Sequence, residues 1–243
     1  MSNTLGRIAA AGLGTGVVCL AIAWTIGGHD LDGLWQHDRW AWRGHGCERT
    51  ATADNASAER RLAWTGGDTI EIALPATVHF RAGEGPDLIV RGAPDAVANV
   101  EIRGNRLVLD CRAPGRVDVT LPGTAFRRIG VSGWANVRLE NLNQPELVFT
   151  LSGSGDLVAQ GTVDRLTATI SGSGNARLGD VALKQLTVRI SGSGNVEAAP
   201  KEAADIKLSG SGSVRLLTRP AHLSSHVSGS GRISQVAETE GKK

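Results

Sequence analysis

The sequence predicts an all-β protein, most of it a short right-handed parallel β-helix (solenoid), and two observations support this prediction. The first is a Ser-Gly-Ser-Gly motif whose copies begin at Ser152, Ser171, Ser191, Ser209 and Ser228, after a degenerate copy at Ser132. The intervals between first serines are 20, 19, 20, 18 and 19 residues, a period typical of stacked coils. The second is the alternation of apolar and polar residues between the motifs, the pattern of half-buried strands. The right hand follows the general rule for parallel crossover connections.

The composition of the chain supports a folded protein and gives no sign of a highly charged partner. The 32 glycines stand at fixed offsets between runs of Val, Ile and Leu, so we interpret them as structural and not as a mark of disorder. The formal net charge is +2, which is too small to indicate nucleic acid or a membrane surface as a partner. We therefore expect no nucleic-acid partner.

Residues 1–28 are predicted to be a signal peptide or a transmembrane anchor. Residues 8–28 are almost wholly apolar and follow Arg7, and they are numerous enough to cross a bilayer as one hydrophobic helix. Alternatively, Ala21-Ile22-Ala23 is a cleavage site, and the apolar residues before it are the core of a secretory signal. Both alternatives export the chain to the periplasm or the cell surface. The first anchors it to the inner membrane, which is then a partner.

Residues 29–62 are predicted to be a juxtamembrane linker. Three histidines lie here among acidic residues, but no pair has the short spacing that holds zinc, so a linker is favoured over a metal site. We expect no metal and no cofactor. In an oxidising compartment Cys47 and Cys111 could form a disulfide. The sequence leaves open whether their Cα atoms come within bonding distance.

Residues 63–125 are predicted to form a β cap and the first coils of a domain that extends over residues 63–237. Short alternating runs end at Gly, Pro and Asn residues throughout this segment, as expected for strands and turns. The dipeptide Gly104-Asn105 between two such runs predicts a hairpin turn. No part of the segment has the pattern of an amphipathic helix.

Residues 126–237 are predicted to form the repeat coils, and residues 238–243 a charged tail. Because successive strand residues face opposite ways, parity places the aliphatic residues and glycines of each copy inside, including Leu223 and Val227, and the serines outside. Stacked coils bring like positions into columns. One outward column, the polar ladder, can hydrogen-bond up and down the stack; its predicted members are Asn136, Asp156, Asn175, Asn195, Ser213 and Arg232.

The strand Val117-Asp118-Val119-Thr120-Leu121-Pro122, followed by iterated Ser-Gly-Ser-Gly-Asn/Asp motifs, resembles the bacterial family called "putative auto-transporter adhesin, head GIN domain". The resemblance covers residues 63–237. It implies an exported β-helical domain with no established catalytic activity and a suggested adhesive role. The chain departs from the family pattern in the copy at residues 132–136, which lacks the second serine and the second glycine. No translocating barrel follows the repeats, so self-secretion is not expected.

Three functions from different classes follow from these features. The favoured one is a noncatalytic cell-envelope domain, an adhesin or interaction module that presents a polar face to an envelope protein or a glycan. The alternative is a structural or envelope-stress component that acts through its membrane tether. A carbohydrate-active enzyme is least favoured, because such enzymes need converging carboxylates, whereas Asp156 and Glu197 lie two coils apart. The oligomeric state is left open.

Overall fold

The computed structural model describes residues 57–109 and 115–236. The predicted leader, Cys47, Cys111 and the predicted tail lie outside the described residues. Within them, one sheet coils around a hydrophobic core and a one-turn helix, α1, spans Pro94–Ala98. The strands are β1 (Ala58–Ala63), β2 (Thr69–Ala73), β3 (Ala76–Arg81), β4 (Asp87–Gly92), β5 (Val100–Arg103), β6 (Arg106–Leu109), β7 (Val117–Thr120), β8 (Arg128–Ser154), β9 (Asp156–Gly172), β10 (Asn175–Gly192), β11 (Asn195–Gly210), β12 (Ser213–Leu216), β13 (His222–Gly229) and β14 (Arg232–Gln235).

Strands β8 to β11 lie on one another as parallel coils, which confirms the predicted stacked-coil fold, a β-solenoid of about five turns. The shorter strands β12 and β13 both pair with β11, and β14 pairs with β12. The right-handed sense of the solenoid stays a prediction. Equivalent motif positions share one register, as in the column formed by Leu151, Ile170, Ile190, Leu208 and Val227.

The interior of the coils is wholly apolar. The alternation predicted by parity appears directly in burial: Ile170 and Ile190 are at most 2% exposed, whereas the serine that follows each of them is exposed. Among the described residues no polar or charged side chain is buried. Burying an aliphatic side chain of this size contributes roughly 1.5–3 kcal/mol, so the inner columns supply the main stabilisation of the coil stack.

From the second copy of the motif onward, the first glycine lies at a tight corner where the backbone passes close to the coil beneath. Gly192 has φ = +129°, and a Cβ atom built there would collide with the carbonyl oxygen of Gly172 in the coil beneath. The same oxygen accepts a hydrogen bond from the backbone N–H of Ser193 at 2.9 Å. Only glycine permits both this φ and this close approach of two backbones, which explains why glycine recurs at this position from copy to copy.

The degenerate copy at residues 132–136 borders the cap, and its substitutions fit that position. Trp134 takes the place of the second serine, and the guanidinium carbon of Arg116 lies 3.5 Å from the centroid of its ring. This is a cation–π contact between the residue before β7 and the first complete coil. Ala135 takes the place of the second glycine and is buried.

The cap combines parallel and antiparallel pairing. Strands β2 and β3 lie parallel on β8, whereas β4 pairs antiparallel with both β1 and β7. Strand β1 begins at Ala58, inside the stretch predicted as linker. The predicted hairpin turn at Gly104-Asn105 is confirmed, since β5 and β6 pair antiparallel across it.

Helix α1 was not predicted. It contains five residues and buries Ala96 and Val97, so it is too short to show the apolar period of a helix. Within the described ranges no helix is both long and apolar enough to cross a bilayer.

The last coil is open to solvent, unlike the capped end. The prediction that Leu223 and Val227 point into a covered interior is wrong: they are 41% and 39% exposed. They pair in register with Ala204 and Leu208, so parity placed them on the correct face. They are exposed because, within the described part of the chain, no further coil lies on top of them.

Candidate functional site

The polar ladder is a continuous chain of four hydrogen bonds that joins five successive coils. The backbone N–H of Asp156 donates to Asn136 Oδ1 at 3.3 Å, and Asn175 Nδ2 donates to Asp156 Oδ1 at 2.8 Å. Asn195 Nδ2 then donates to Asn175 Oδ1 at 2.8 Å, and Ser213 Oγ donates to Asn195 Oδ1 at 2.6 Å. Parallel in-register coils place these side chains directly above one another, so the ladder is a result of the register.

The bonds of the ladder all run in one direction, which limits what the ladder can still bind. Asn175 and Asn195 each donate downward with Nδ2 and accept from above with Oδ1, whereas the side chain of Asn136 only accepts, from the backbone N–H of Asp156. A carboxamide has two N–H groups and two acceptor positions on its oxygen. Asn175 and Asn195 therefore use half of their hydrogen-bonding capacity within the ladder, and each keeps one donor and one acceptor position for a ligand.

Arg232 occupies the sixth predicted position but does not join the chain of bonds. It pairs in register with Ser213, and its backbone N–H donates to the carbonyl of Gly212 at 3.1 Å. Among the described residues its side chain has no hydrogen-bonding or ionic partner. The ladder proper thus contains five of the six predicted residues and ends at Ser213.

The lower end of the ladder opens into a polar pocket of about 260 Å³. Asn136 and Asp156 form one side of it, and His79, Arg138 and Arg177 form the other. The basic residues belong to the next outward column, because β3 pairs His79 with Arg138, and Arg177 lies two coils above Arg138 with Val158 between them. This pocket could not be predicted from the sequence, since it depends on the register between β3 and β8.

The ion pairs on this face of the solenoid are long and solvent-exposed. Arg177 lies 3.9 Å from Asp156, and higher in the same column Arg215 lies 3.8 Å from Glu197. These side chains are 40–65% exposed, and exposed ion pairs of this kind contribute little stability. Their charges are therefore available to a ligand at small cost.

A stronger ion pair borders the pocket on the cap side. Arg81 donates two hydrogen bonds to Glu140 Oε2, at 2.6 and 3.0 Å. The hydrogen bond from Arg81 is the main cause that lowers the pKa of Glu140 below its ordinary value, followed by the nearby positive charges. Glu140 is therefore ionised at neutral pH and fixes the end of β3 against β8.

The described residues contain no cluster of three His, Cys, Asp or Glu side chains suited to a metal ion. His222 and His226 both lie on the exposed strand β13. They pair with Ala203 and Lys207 of the coil below, so neither faces a carboxylate or a serine in register. The grooves on either side of the cap each hold two carboxylates, Asp68 with Glu146 and Glu84 with Glu140.

Comparison with known proteins gives one family and a set of related folds. The family model described as "Putative auto-transporter adhesin, head GIN domain" matches residues 68–220. The crystal structure of a putative adhesin from Bacteroides fragilis NCTC 9343 is 19% identical with a TM-score of 0.59, and the match covers 75% of this chain and 98% of that chain. A putative adhesin from Parabacteroides merdae ATCC 43184 is 15% identical with a TM-score of 0.45, over 76% of this chain and 98% of that one. No curated protein matches. The first structure shows that the fold is shared.

Proposed function

The chain belongs to the family "putative auto-transporter adhesin, head GIN domain", and from this premise we propose that it is a noncatalytic, exported interaction module of the cell envelope. The polar ladder and the pocket at its lower end form the binding face. The partner is an envelope protein or a glycan, and the apolar segment 8–28 connects the module to the inner membrane or directs its export.

The observation that supports this proposal most directly is the unused polar capacity of the ladder. Asn175 and Asn195 are held in place by their neighbours, yet each keeps a free N–H and a free acceptor position. Groups that are fixed before binding lose little conformational entropy when a ligand arrives. The row of such groups suits a partner with many hydroxyl or amide groups.

The pocket at the lower end of the ladder adds the charged groups that such a face needs for specificity. Arg138 and Arg177 lie on one side and the Asp156 carboxylate on the other. An adhesive module binds by many moderate contacts on a rigid surface, and it needs no reacting group among them.

The test is a screen of the chain against a glycan array and an envelope-protein pull-down, repeated with variants. The double substitution Arg138→Gln and Arg177→Gln removes two positive charges from the pocket, and we expect it to weaken binding of any hit by about tenfold. The matched control, Arg165→Gln with Lys201→Gln, removes the same charge from exposed positions that do not line the pocket. An absence of hits, or an equal loss in both variants, would contradict the proposal.

A second candidate function is a structural or envelope-stress component that acts through its membrane tether. The bonding of the ladder side chains to one another favours it, because these bonds stabilise the solenoid whether or not a ligand is present. Deletion of residues 1–28 separates the two candidates. A binding module keeps its ligand in soluble form, whereas a tether-dependent component loses its role.

A further inference from the structure

A second groove, separate from the polar ladder, crosses four coils on the other side of the Ser-Gly corner. Its volume is about 330 Å³. We call it the basic groove. One wall is the column Thr169, Arg189, Lys207 and His226, and the other wall is the column Ser171, Ser191, Ser209 and Ser228.

The positive charges of the basic groove have no partners. Arg189 and Lys207 are exposed, adjacent in register, and free of ion pairs or side-chain hydrogen bonds among the described residues. In the same coils, by contrast, Lys184 pairs with Asp164 at 2.9 Å and Arg215 lies 3.8 Å from Glu197. Unpartnered cations beside each other repel, so an anionic ligand between them gains more than it would at a paired arginine.

The opposite wall offers neutral hydrogen-bonding groups at a regular interval. The four serine hydroxyls repeat once per coil, at roughly the strand spacing of 4.8 Å, so the groove extends over about 14 Å. Ile170, Ile190 and Leu208 separate the two walls along each strand, and their side chains are buried in the core. The apolar surface of the groove therefore comes from the aliphatic stems of Arg189 and Lys207, with their charged groups at the rim.

We propose that the basic groove binds a linear anionic polysaccharide, carboxylated at regular intervals, which lies along the axis of the solenoid. Its carboxylates meet the charged groups of Arg189 and Lys207, its hydroxyls meet the serine column, and the faces of its sugar rings lie on the aliphatic stems of Arg189 and Lys207. This inference rests on the proposed function as an interaction module, but it concerns a different site from the polar ladder.

The direction of the groove disfavours a peptide ligand. A peptide that adds to a sheet needs free backbone groups along a strand edge. The basic groove runs across the strands, and β9, β10 and β11 already use their backbone groups in pairing with the coils above and below. An extended peptide would find only side chains there.

The composition of the groove disfavours a nucleic acid. Single-stranded nucleic acids are bound by a strongly basic groove together with aromatic rings on which bases stack. No aromatic ring lines this groove.

The experiment measures binding of the full-length chain to polygalacturonate at low salt by affinity electrophoresis and calorimetry. Dextran serves as the neutral polymer, and an oligothymidylate and anionic phospholipid vesicles serve as other anions. We expect binding to polygalacturonate alone, and a loss of about tenfold or more for Arg189→Gln with Lys207→Gln. The control pair Arg165→Gln with Lys201→Gln has the same charge change outside the groove and should bind as the wild type does.

A second variant tests the opposite wall without changing charge. Ser191→Ala with Ser209→Ala removes two hydroxyls and should weaken binding several-fold while leaving its salt dependence unchanged. Equal losses in the groove and control pairs, no binding to polygalacturonate, or tighter binding to the oligonucleotide or the vesicles would each overturn the inference. If the pocket variant Arg138→Gln with Arg177→Gln loses an envelope ligand while polygalacturonate fails to bind, only the assignment of the basic groove fails.

Discussion

Gly192 is held by two separate constraints, a positive φ of +129° and the carbonyl oxygen of Gly172 against the position of its missing Cβ. Other corner glycines show each constraint alone. Gly133 has φ = +93° but open space around it, and Gly212 has ordinary φ but the oxygen of Gly194 beside it. The corner therefore allows backbone strain and steric overlap to be measured independently.

Alanine at these three positions should destabilise the fold to different extents. Gly133→Ala introduces only a disfavoured φ, which costs about 1–3 kcal/mol. Gly212→Ala introduces only overpacking, which costs about 1–3 kcal/mol. Gly192→Ala combines both, so we expect the largest loss in the free energy of unfolding by urea denaturation. A Gly192→Ala protein as stable as the wild type would contradict the account of the corner.

The ladder is sensitive to charge at one residue in particular. Asn175→Asp removes the donor to Asp156 and places two carboxylates at the 2.8 Å contact, so it should cost about 1–3 kcal/mol at neutral pH. Asn195→Asp loses the same type of donor but faces the neutral side chain of Asn175, and it should cost less. Thermal unfolding of the two variants checks this order, and the double variant Asp156→Asn with Asn175→Asp should recover most of the loss.

At the scale of elements, the pair Arg81–Glu140 links the end of β3 to β8. Hydrogen bonding by Arg81 lowers the pKa of Glu140 below 4.5 in the folded protein. A lowered folded-state pKa means that the stabilisation is present above the unfolded value and is lost as the pH falls through the folded value. The link between cap and first coil thus weakens only in acid.

Glu140→Gln should lower the melting temperature at pH 7, and the difference from the wild type should begin to shrink below pH 4.5 and disappear once the pH has fallen through the lower folded-state pKa of Glu140. Glu101→Gln is the control, because Glu101 pairs with Arg103 of the same strand and links no two elements. A difference between Glu140→Gln and the wild type that does not shrink at all as the pH is lowered from 7 into the acid range would show that the side chain acts through packing and not through its charge.

The repeat coils could be predicted from the sequence because period and parity are local properties. The interval of 18 to 20 residues placed Ile170, Ile190 and Leu208 in one column, and the structure has them in register. The bonded order of the ladder follows from the same register. Arg232 is the exception, since its long side chain has no short-range partner on the ladder.

The cap could not be predicted in the same way, because its pairing joins segments far apart in the chain. Strand β4 lies between β1 and β7, and nothing in an alternating pattern specifies which strands become neighbours. The pocket beside His79 depends on another such long-range pairing, the register between β3 and β8, so it was also missed. The basic groove was missed for a different reason, since a column with Thr, Arg, Lys and His has no shared residue type.

At the scale of the whole coil stack, the two ends of the described region differ. The cap covers the first coil with buried side chains such as Val100 and Leu107, whereas every residue of β13 is exposed. In a stack where each coil contacts only its neighbours, the free energy of unfolding is a sum of contributions from single coils and from the interfaces between them. The last described coil has an interface on one side only, so we expect it to be the least stable.

Amide hydrogen exchange should show this gradient directly. We expect amides of β13 and β14 to exchange by local opening, much faster than those of β9 and β10, which approach the global unfolding free energy. Val227→Ala should leave the melting temperature nearly unchanged, whereas Ile190→Ala should lower the free energy of unfolding by about 2–5 kcal/mol. Uniform protection along the chain would contradict this view.

The in-register corner has a consequence for how such a protein can change in length. Because each coil follows the same path as the coil beneath it, a segment of about 19 residues can be duplicated or removed as a unit. The chain then continues from the same position in the next coil. Each such duplication or deletion would change the length of the coil stack by about 4.8 Å and leave its cross-section unchanged. The length of the coil stack can therefore change in fixed steps, without any change in the packing of its interior.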